Sequence, residues 1–273
     1  MSQDRNPQLE QMADESMLRT LTAQAECIWP GEQPLFARYA LRGALQIADV
    51  GCGSGEITAR LARLYPEAQV LGLDILASAV AFAAELHASL APRVRFEQGD
   101  AFELRLGSDA YDLVVCRHLT QAVPEPKHVL AELVRICKPG GWLHVLSEDY
   151  GMLHFPSGPL DADRLWHDGV FAYGRAMGTD ARVGRHTWSY MKQLGLEELR
   201  VDYVVVDTLR APRSTFAQIL EAWRDGYVQV LGQKSRLTPT EALALFNQII
   251  ASIRDEESYA VWQVPILSGR KPR

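Results

Sequence analysis

One run, residues 45–64, constrains the fold more than any other. An apolar segment ends in Asp49-Val50, Gly51-Cys52-Gly53-Ser54-Gly55 places glycine at alternate positions, and apolar residues then recur at helical spacing through Ile57, Leu61 and Leu64 until Tyr65-Pro66 stops them. Strand, glycine turn, helix is the opening unit of a parallel sheet. The rhythm continues downstream. Residues 69–75 form a compact β-rich run closed by Asp74, and 77–90 read as a helix. Residues 93–98 alternate apolar with charged positions before Gly99-Asp100, and 111–116 are a solid apolar strand. Pro126 opens a helix reaching Cys137, and Pro139-Gly140-Gly141 turns the chain into a strand over 142–146. Short solid strands separated by helices of about a dozen residues predict an α/β, doubly wound, mostly parallel sheet covered on both faces.

The rhythm changes after Glu148. Residues 160–194 are mostly helical in pattern, 199–206 are a valine-rich strand, 214–254 are helical, and 259–267 are the last strand candidate. Ahead of the first strand, 8–28 and 34–43 read as two helices with a loose stripe of Met12, Met17, Leu18, Leu21 and Ile28. The expected organisation is a single domain over 1–273. It has a helical cap at 1–43, a ligand-binding core at 44–150, and helical lid or substrate segments at 151–195 and 209–257. Additions of this kind cover the crevice at the carboxyl ends of the strands or complete the core.

Composition sets the outer bounds. With 47% hydrophobic and 23% charged residues over 273 positions, disordered, collagenous and low-complexity classes are excluded. The formal charge is −6 with no basic run, which repels a phosphate backbone, so no nucleic-acid partner is expected. No stretch approaches the roughly 18 apolar residues of a membrane span, and the first residues lack an apolar leader core. The four cysteines, Cys27, Cys52, Cys116 and Cys137, form no C-x-x-C pair. The expectation is a cytoplasmic protein with reduced thiols and no membrane partner.

The first glycine turn is where chemistry starts, because it aims free backbone N–H groups and a helix dipole at whatever binds there. A dinucleotide turn has glycine at the sixth position of G-x-G-x-x-G, whereas here that position is Glu56. Asp49 just ahead of the turn repels a pyrophosphate and attracts an ammonium or sulfonium, a preference on the order of a few kcal/mol at close range.

These residues resemble the class I S-adenosylmethionine-dependent methyltransferases. Asp49-Val50-Gly51-Cys52-Gly53-Ser54-Gly55 looks like their first motif, and further signposts follow in order: Asp74, Gly99-Asp100-Ala101-Phe102, the strand 111–118, and Lys138-Pro139-Gly140-Gly141. The resemblance covers roughly 45–149. It implies a seven-stranded Rossmann-like sheet, with the last strand inserted antiparallel between the fifth and sixth, and extra helices as a lid. It implies S-adenosyl-L-methionine as cofactor, with Asp74 and Ile75 at the ribose and Asp100, Ala101 and Phe102 beside the adenine. Asp49, Gly51 and Gly53 would lie at the first turn, Cys116 (through its backbone) and Arg117 would contact the cofactor, and Gln24 would reach its amino-acid end. The nearest branch is that of small-molecule enzymes similar to the quinone-biosynthesis methyltransferases. Cys116-Arg117-His118-Leu119 stands where DNA-adenine and glutamine methyltransferases carry Asn/Asp-Pro-Pro-Tyr/Phe, which argues against those types.

Methyl transfer is an in-line displacement that depends chiefly on alignment in a dry site. Neutral amines need little further help, whereas handing a phenol proton to a histidine before attack is uphill by roughly 5 kcal/mol, so a base must touch the acceptor. His118, directly after the fourth strand, is the catalytic candidate. Tyr150, His154, Trp166 and Tyr173 are candidates for binding the acceptor, with Asp149 and His167 close by. No H-x-x-x-H or His–carboxylate cluster occurs, so no metal is expected. The partner expected is a small-molecule methyl acceptor. A homodimer stays open. Two other classes stay on the page: a catalytically silent cofactor-binding protein, and a nicotinamide-dependent reductase, which lacks a tyrosine with lysine four residues on.

Overall fold

Ile47, Ala48 and Val50 in β1 (Gln46–Val50) and Leu113 to Cys116 in β4 (Tyr111–Arg117) have essentially no solvent exposure. Strands without a wet face belong at the centre of a sheet covered on both sides. The computed structural model, which describes residues 5–273, places them there. Around them lie β2 (Gln69–Asp74), β3 (Val94–Gln98) and β5 (Cys137–Leu146), giving the parallel order β3-β2-β1-β4-β5. The last strand, β8 (Val261–Arg270), runs antiparallel between β5 and β7 (Glu197–Asp207). A two-residue strand, β6 (Leu153–His154), extends the edge of β5 along β8, so the sheet has eight strands, one more than expected. This is the Rossmann-like α/β sheet of the class I methyltransferases.

The helices follow from spacing and caps. In α3 (Glu56–Leu64), Ile57 and Leu61 point inward, and Gly55 at φ 76° ends the turn ahead of it. A Cβ at Gly55 would come within 2.7 Å of the Phe96 ring, so both the backbone angle and the space call for glycine. Beyond α4 (Ala77–Leu86) and α5 (Pro126–Ile136), the later chain carries α6 (Phe171–Ala176), α7 (Gly184–Gln193), α8 (Arg213–Lys234) and α9 (Pro239–Arg254). Thr238 and Glu241 form a reciprocal capping box at the start of α9, with Pro239 at its first position.

Two segments differ from the sequence expectation. The cap is a four-residue α1 (Leu9–Met12) followed by one 22-residue α2 (Glu15–Phe36), with Asp14 accepting from Ser16 N at 2.8 Å. The helix runs through Pro30 and Pro34 instead of breaking there. Both prolines lie on its exposed face, where the carbonyls that lose their donors turn to water. The stretch expected over the crevice at 151–195 also divides. A π-helical turn (Leu165–Val170) and α6 face the crevice, while Met191 of α7 is buried in the core that holds Val114 and Leu143. That core lies under α5 and α7 on one face of the sheet; Trp29, Phe36, Leu61 and Ile47 fill the other. A third cluster joins α2, α8 and α9 to Val206 and Trp262 of the antiparallel strands, so cap and lid share one interior.

Candidate functional site

In the strand order the chain reverses direction of build between β1 and β4, and in open α/β sheets the crevice at that point is where ligands bind. A cavity opens there. Its floor is the glycine turn, with Val50, Gly51 and Gly53, and the strand ends carrying Asp74, Gly99 and Arg117. Its roof comes from α1, α2, the π-helical turn, α6, α8 and α9.

Asp74 is fixed by the backbone around it. One carboxylate oxygen accepts from Gly53 N at 2.9 Å and the other from Leu76 N at 3.0 Å. A carboxylate has about four lone-pair sites, so beside its backbone donors Leu76, Gly53 and Ile75 the Asp74 side chain, which lines the cavity, keeps acceptor capacity for a ligand hydroxyl. Burial raises its pKa above the ordinary value and the backbone donors oppose the rise. Gly53, at φ 52°, packs so closely that a Cβ would meet Leu21 Cδ1 at 2.5 Å, which leaves the turn no room for a side chain. Gln24 of α2 is buried and its Oε1 has no partner.

Of the residues singled out from sequence, Gln24, Gly51, Gly53, Asp74, Ile75, Ala101, Arg117, His118, Tyr150, Trp166 and Tyr173 gather on the wall of this one cavity. Others lie elsewhere. Asp49 is buried behind the turn, where Thr58 Oγ1 donates to it at 2.6 Å; burial pushes its carboxyl up to about 6. Asp100 caps its own turn by accepting from Phe102 N at 2.9 Å. Phe102 packs edge-on to His128 in the core, and Cys116 is wholly buried between the sheet and α5. His154 and His167 are exposed to solvent, away from the cavity. Asp149 is committed to Arg185, which donates to its two oxygens at 2.8 and 2.9 Å.

Several wall and support residues went unnamed in the sequence. Trp223 and Tyr227 of α8 line the roof, and their i, i+4 spacing was the available signal. Glu148 binds His118 Nδ1 across 30 positions of sequence. Glu32 of α2 pairs with Arg117 at 3.0 Å and with His144 Nε2 at 2.9 Å. Nothing local marks either pairing. Among the described residues no three His, Cys, Asp or Glu side chains gather as a metal site, and no helix is long and apolar enough to cross a membrane.

Sheet order, glycine turn and the acidic end of β2 together define the class I methyltransferase fold. Comparison with known families agrees: residues 47–141 match the family model described as a methyltransferase domain. Among curated proteins, the chain is 44% identical over 100 residues to a trans-aconitate 2-methyltransferase of Deinococcus radiodurans, covering 37% of this chain and 36% of that one. It is 34% identical over 102 residues to a ubiquinone biosynthesis O-methyltransferase of Leptothrix cholodnii, covering 36% and 42%. The matches thus span less than half the length of these relatives. Among solved structures, a phosphoethanolamine N-methyltransferase 2 of Haemonchus contortus superposes with a TM-score of 0.61 at 18% identity, covering 97% of this chain and 59% of that one, a likeness of fold.

Proposed function

We propose that the protein is an S-adenosylmethionine-dependent methyltransferase acting on a small molecule held in the cavity. The observation that carries the reading is the placement of Asp74. Asp74 lines the same space as the crowded glycine turn, and that space continues to His118 and an aromatic roof. A diol-bearing ligand fits this arrangement, with the carboxylate as acceptor for its hydroxyls. Asp74 would hold the ribose, and the backbone at Gly99 and Ala101 would flank the base. Gln24 Oε1, buried and unpaired, suits the ammonium of the amino-acid end. When bound, the cofactor supplies an electrophilic methyl group. The chain's own part is to hold the acceptor in line and keep water out.

Arg117 belongs to this wall, but its charge is already matched by Glu32, so it offers a rigid edge rather than a free cation. Trp166, Tyr150 and Tyr173, with Trp223 and Tyr227, give the acceptor an apolar lining. Calorimetry with S-adenosylmethionine and S-adenosylhomocysteine tests the reading. Both are expected to bind, and Asp74→Asn is expected to weaken each by about 10- to 100-fold, the loss of one or two hydrogen bonds to a charged acceptor. Wild-type protein that binds neither compound would remove the proposal.

A further inference from the structure

His118 ends β4 with φ at 54°, a left-handed backbone that costs a side-chain-bearing residue about 1–3 kcal/mol and persists only where the surroundings impose it. They do so from both sides. Gln121 Nε2 donates to the His118 carbonyl at 2.8 Å, and His118 N donates to Leu146 O at 3.3 Å. The ring lies against Trp262, with centroids 6.4 Å apart. Its Nδ1 meets the carboxylate of Glu148, while Nε2 is buried and unpartnered; His118 is one of the residues lining the cavity.

Glu148 has no solvent exposure, and its neighbours are clamped. Ser147 Oγ bonds Thr120 and Thr187 at 2.8 and 2.7 Å, Arg185 grips Asp149, and the Glu148 carbonyl accepts from Gly184 N at 2.8 Å. A Cβ at Gly184 would sit 2.3 Å from Ser147 O, so this close approach of α7 to the end of β5 depends on glycine. A carboxylate can only accept, so Nδ1 carries the hydrogen and Nε2 is left as the buried, unpartnered acceptor of a side chain that lines the cavity. The arrangement is a base with its orienting group, built at a cost in backbone strain and in burial of an acid.

An amine or an ionised carboxylate needs no base to attack a sulfonium methyl, and an aliphatic alcohol, a weaker acid than a phenol or enol, asks more of an imidazole. A phenol or enol lies within reach, at roughly 5 kcal/mol for complete transfer to an ordinary histidine. Aromatic rings line the same cavity. Tyr150 stacks on Trp166 at 6.1 Å and meets Trp223 edge-on at 5.3 Å. On the acceptor side the charged side chain of the wall is Arg117, already paired. Resting on the methyltransferase reading above, we propose that the acceptor is a planar, uncharged phenol or enol methylated on oxygen, with His118 as its base and Glu148 as the positioning residue. The hydroxyl proton passes to Nε2 as the oxygen bonds to the methyl carbon. The carbon–sulfur bond breaks with its electron pair on sulfur, leaving a methyl ether, a neutral thioether and an imidazolium beside the Glu148 carboxylate. That proton then returns to water.

The test uses the full chain and S-adenosylmethionine labelled in its methyl group. Three sets of acceptors of matched size are offered: naphthols and catechols, aryl amines, and aryl carboxylates, with a nitrophenol that is already ionised at neutral pH. Label is expected on the oxygen of the hydroxyarenes. His118→Ala and Glu148→Gln are expected to lower kcat for a weakly acidic phenol by about 10²–10⁴-fold with KM little changed, and the loss is at least tenfold smaller for the nitrophenol. Glu148→Asp recovers part of the rate. Binding of S-adenosylhomocysteine is read in parallel, both to show that the variants fold and to separate two failures. Absence of that binding sinks the methyltransferase reading itself. With binding intact, label on amines or carboxylates, label on nothing in the panel, or equal losses for neutral and ionised phenols overturns the present proposal alone.

Discussion

At the scale of the residue, Asp49 shows how position alters the role of a charge. It lies two residues before Gly51 of the glycine turn, yet its carboxyl is buried behind that turn and bound by Thr58, and burial raises its pKa to about 6. A carboxyl whose folded pKa exceeds its unfolded value of about 3.9 stabilises the fold fully below that value and loses the contribution as pH rises to about 6. A shift of this size corresponds to about 3 kcal/mol. Asp49→Asn keeps an acceptor for Thr58 and removes the ionisation. Its stability relative to wild type is therefore expected to rise by about 2 kcal/mol between pH 4.5 and pH 7 in urea unfolding. Parallel stability curves for the two proteins would show that Asp49 ionises freely in the fold. The contrast with Asp74 is instructive, because both aspartates end apolar strands and read alike in sequence. Asp74 could be placed because a strand end, a turn and a helix start are local features. The facing of Asp49, Cys116 and Phe102 depends on which side of the sheet a strand presents, and the pairing of His118 with Glu148 depends on β4 and β5 lying side by side. No single window of sequence contains either.

At the scale of the element, α2 is the clearest case of tertiary structure overriding a local signal. Its two prolines predict an interruption, but the buried face, with Ala25, Ile28, Trp29, Glu32 and Phe36, repeats at helical spacing across both. Glu32 is the anchor. It is fully buried, its two oxygens meet Arg117 and His144, and His144 Nδ1 bonds Tyr39 OH at 2.7 Å. Burial alone would push the Glu32 carboxyl up, and the Arg117 and His144 charges hold it below the ordinary carboxylate range. This network ties the cap to the ends of β4 and β5, next to the cavity. Removing one member of a buried ion pair leaves its partner uncompensated, so Glu32→Ala is expected to lower stability by about 3–5 kcal/mol, read as a lower urea midpoint. Replacing both charges together, Glu32→Leu with Arg117→Met, is expected to recover most of that loss. A single variant as stable as wild type would mean that the pair contributes only packing.

At the scale of the whole molecule, the parallel half of the sheet was legible because each strand–helix unit carries its own periodicity and punctuation. The lid was not, because its helices are apolar on surfaces that meet only in three dimensions, where Phe216, Phe246 and Trp262 share one cluster. The N-terminal strap of the roof, residues 6–12, is held chiefly by a few polar contacts. Gln8 reaches Thr179 at 3.2 Å, and the Tyr227 and Tyr173 hydroxyls reach Gln8 and Gln11 at 3.4 Å each; these bonds are long, while α2 beyond Thr20 is held by a buried face. Segments with few buried contacts open at low free energy, and a ligand that touches them from inside suppresses the opening in proportion to its affinity. Asn6, Gln8 and Leu9 line the cavity, so they meet whatever fills it. Hydrogen exchange over residues 6–12 is therefore expected to be fast in the free protein and to slow at least tenfold when S-adenosylhomocysteine is bound. Exchange in α9 near Ile253, already in the core, is expected to change little. If bound ligand leaves the strap's exchange unaltered, ligand enters and leaves by another route and the strap serves only to complete the roof.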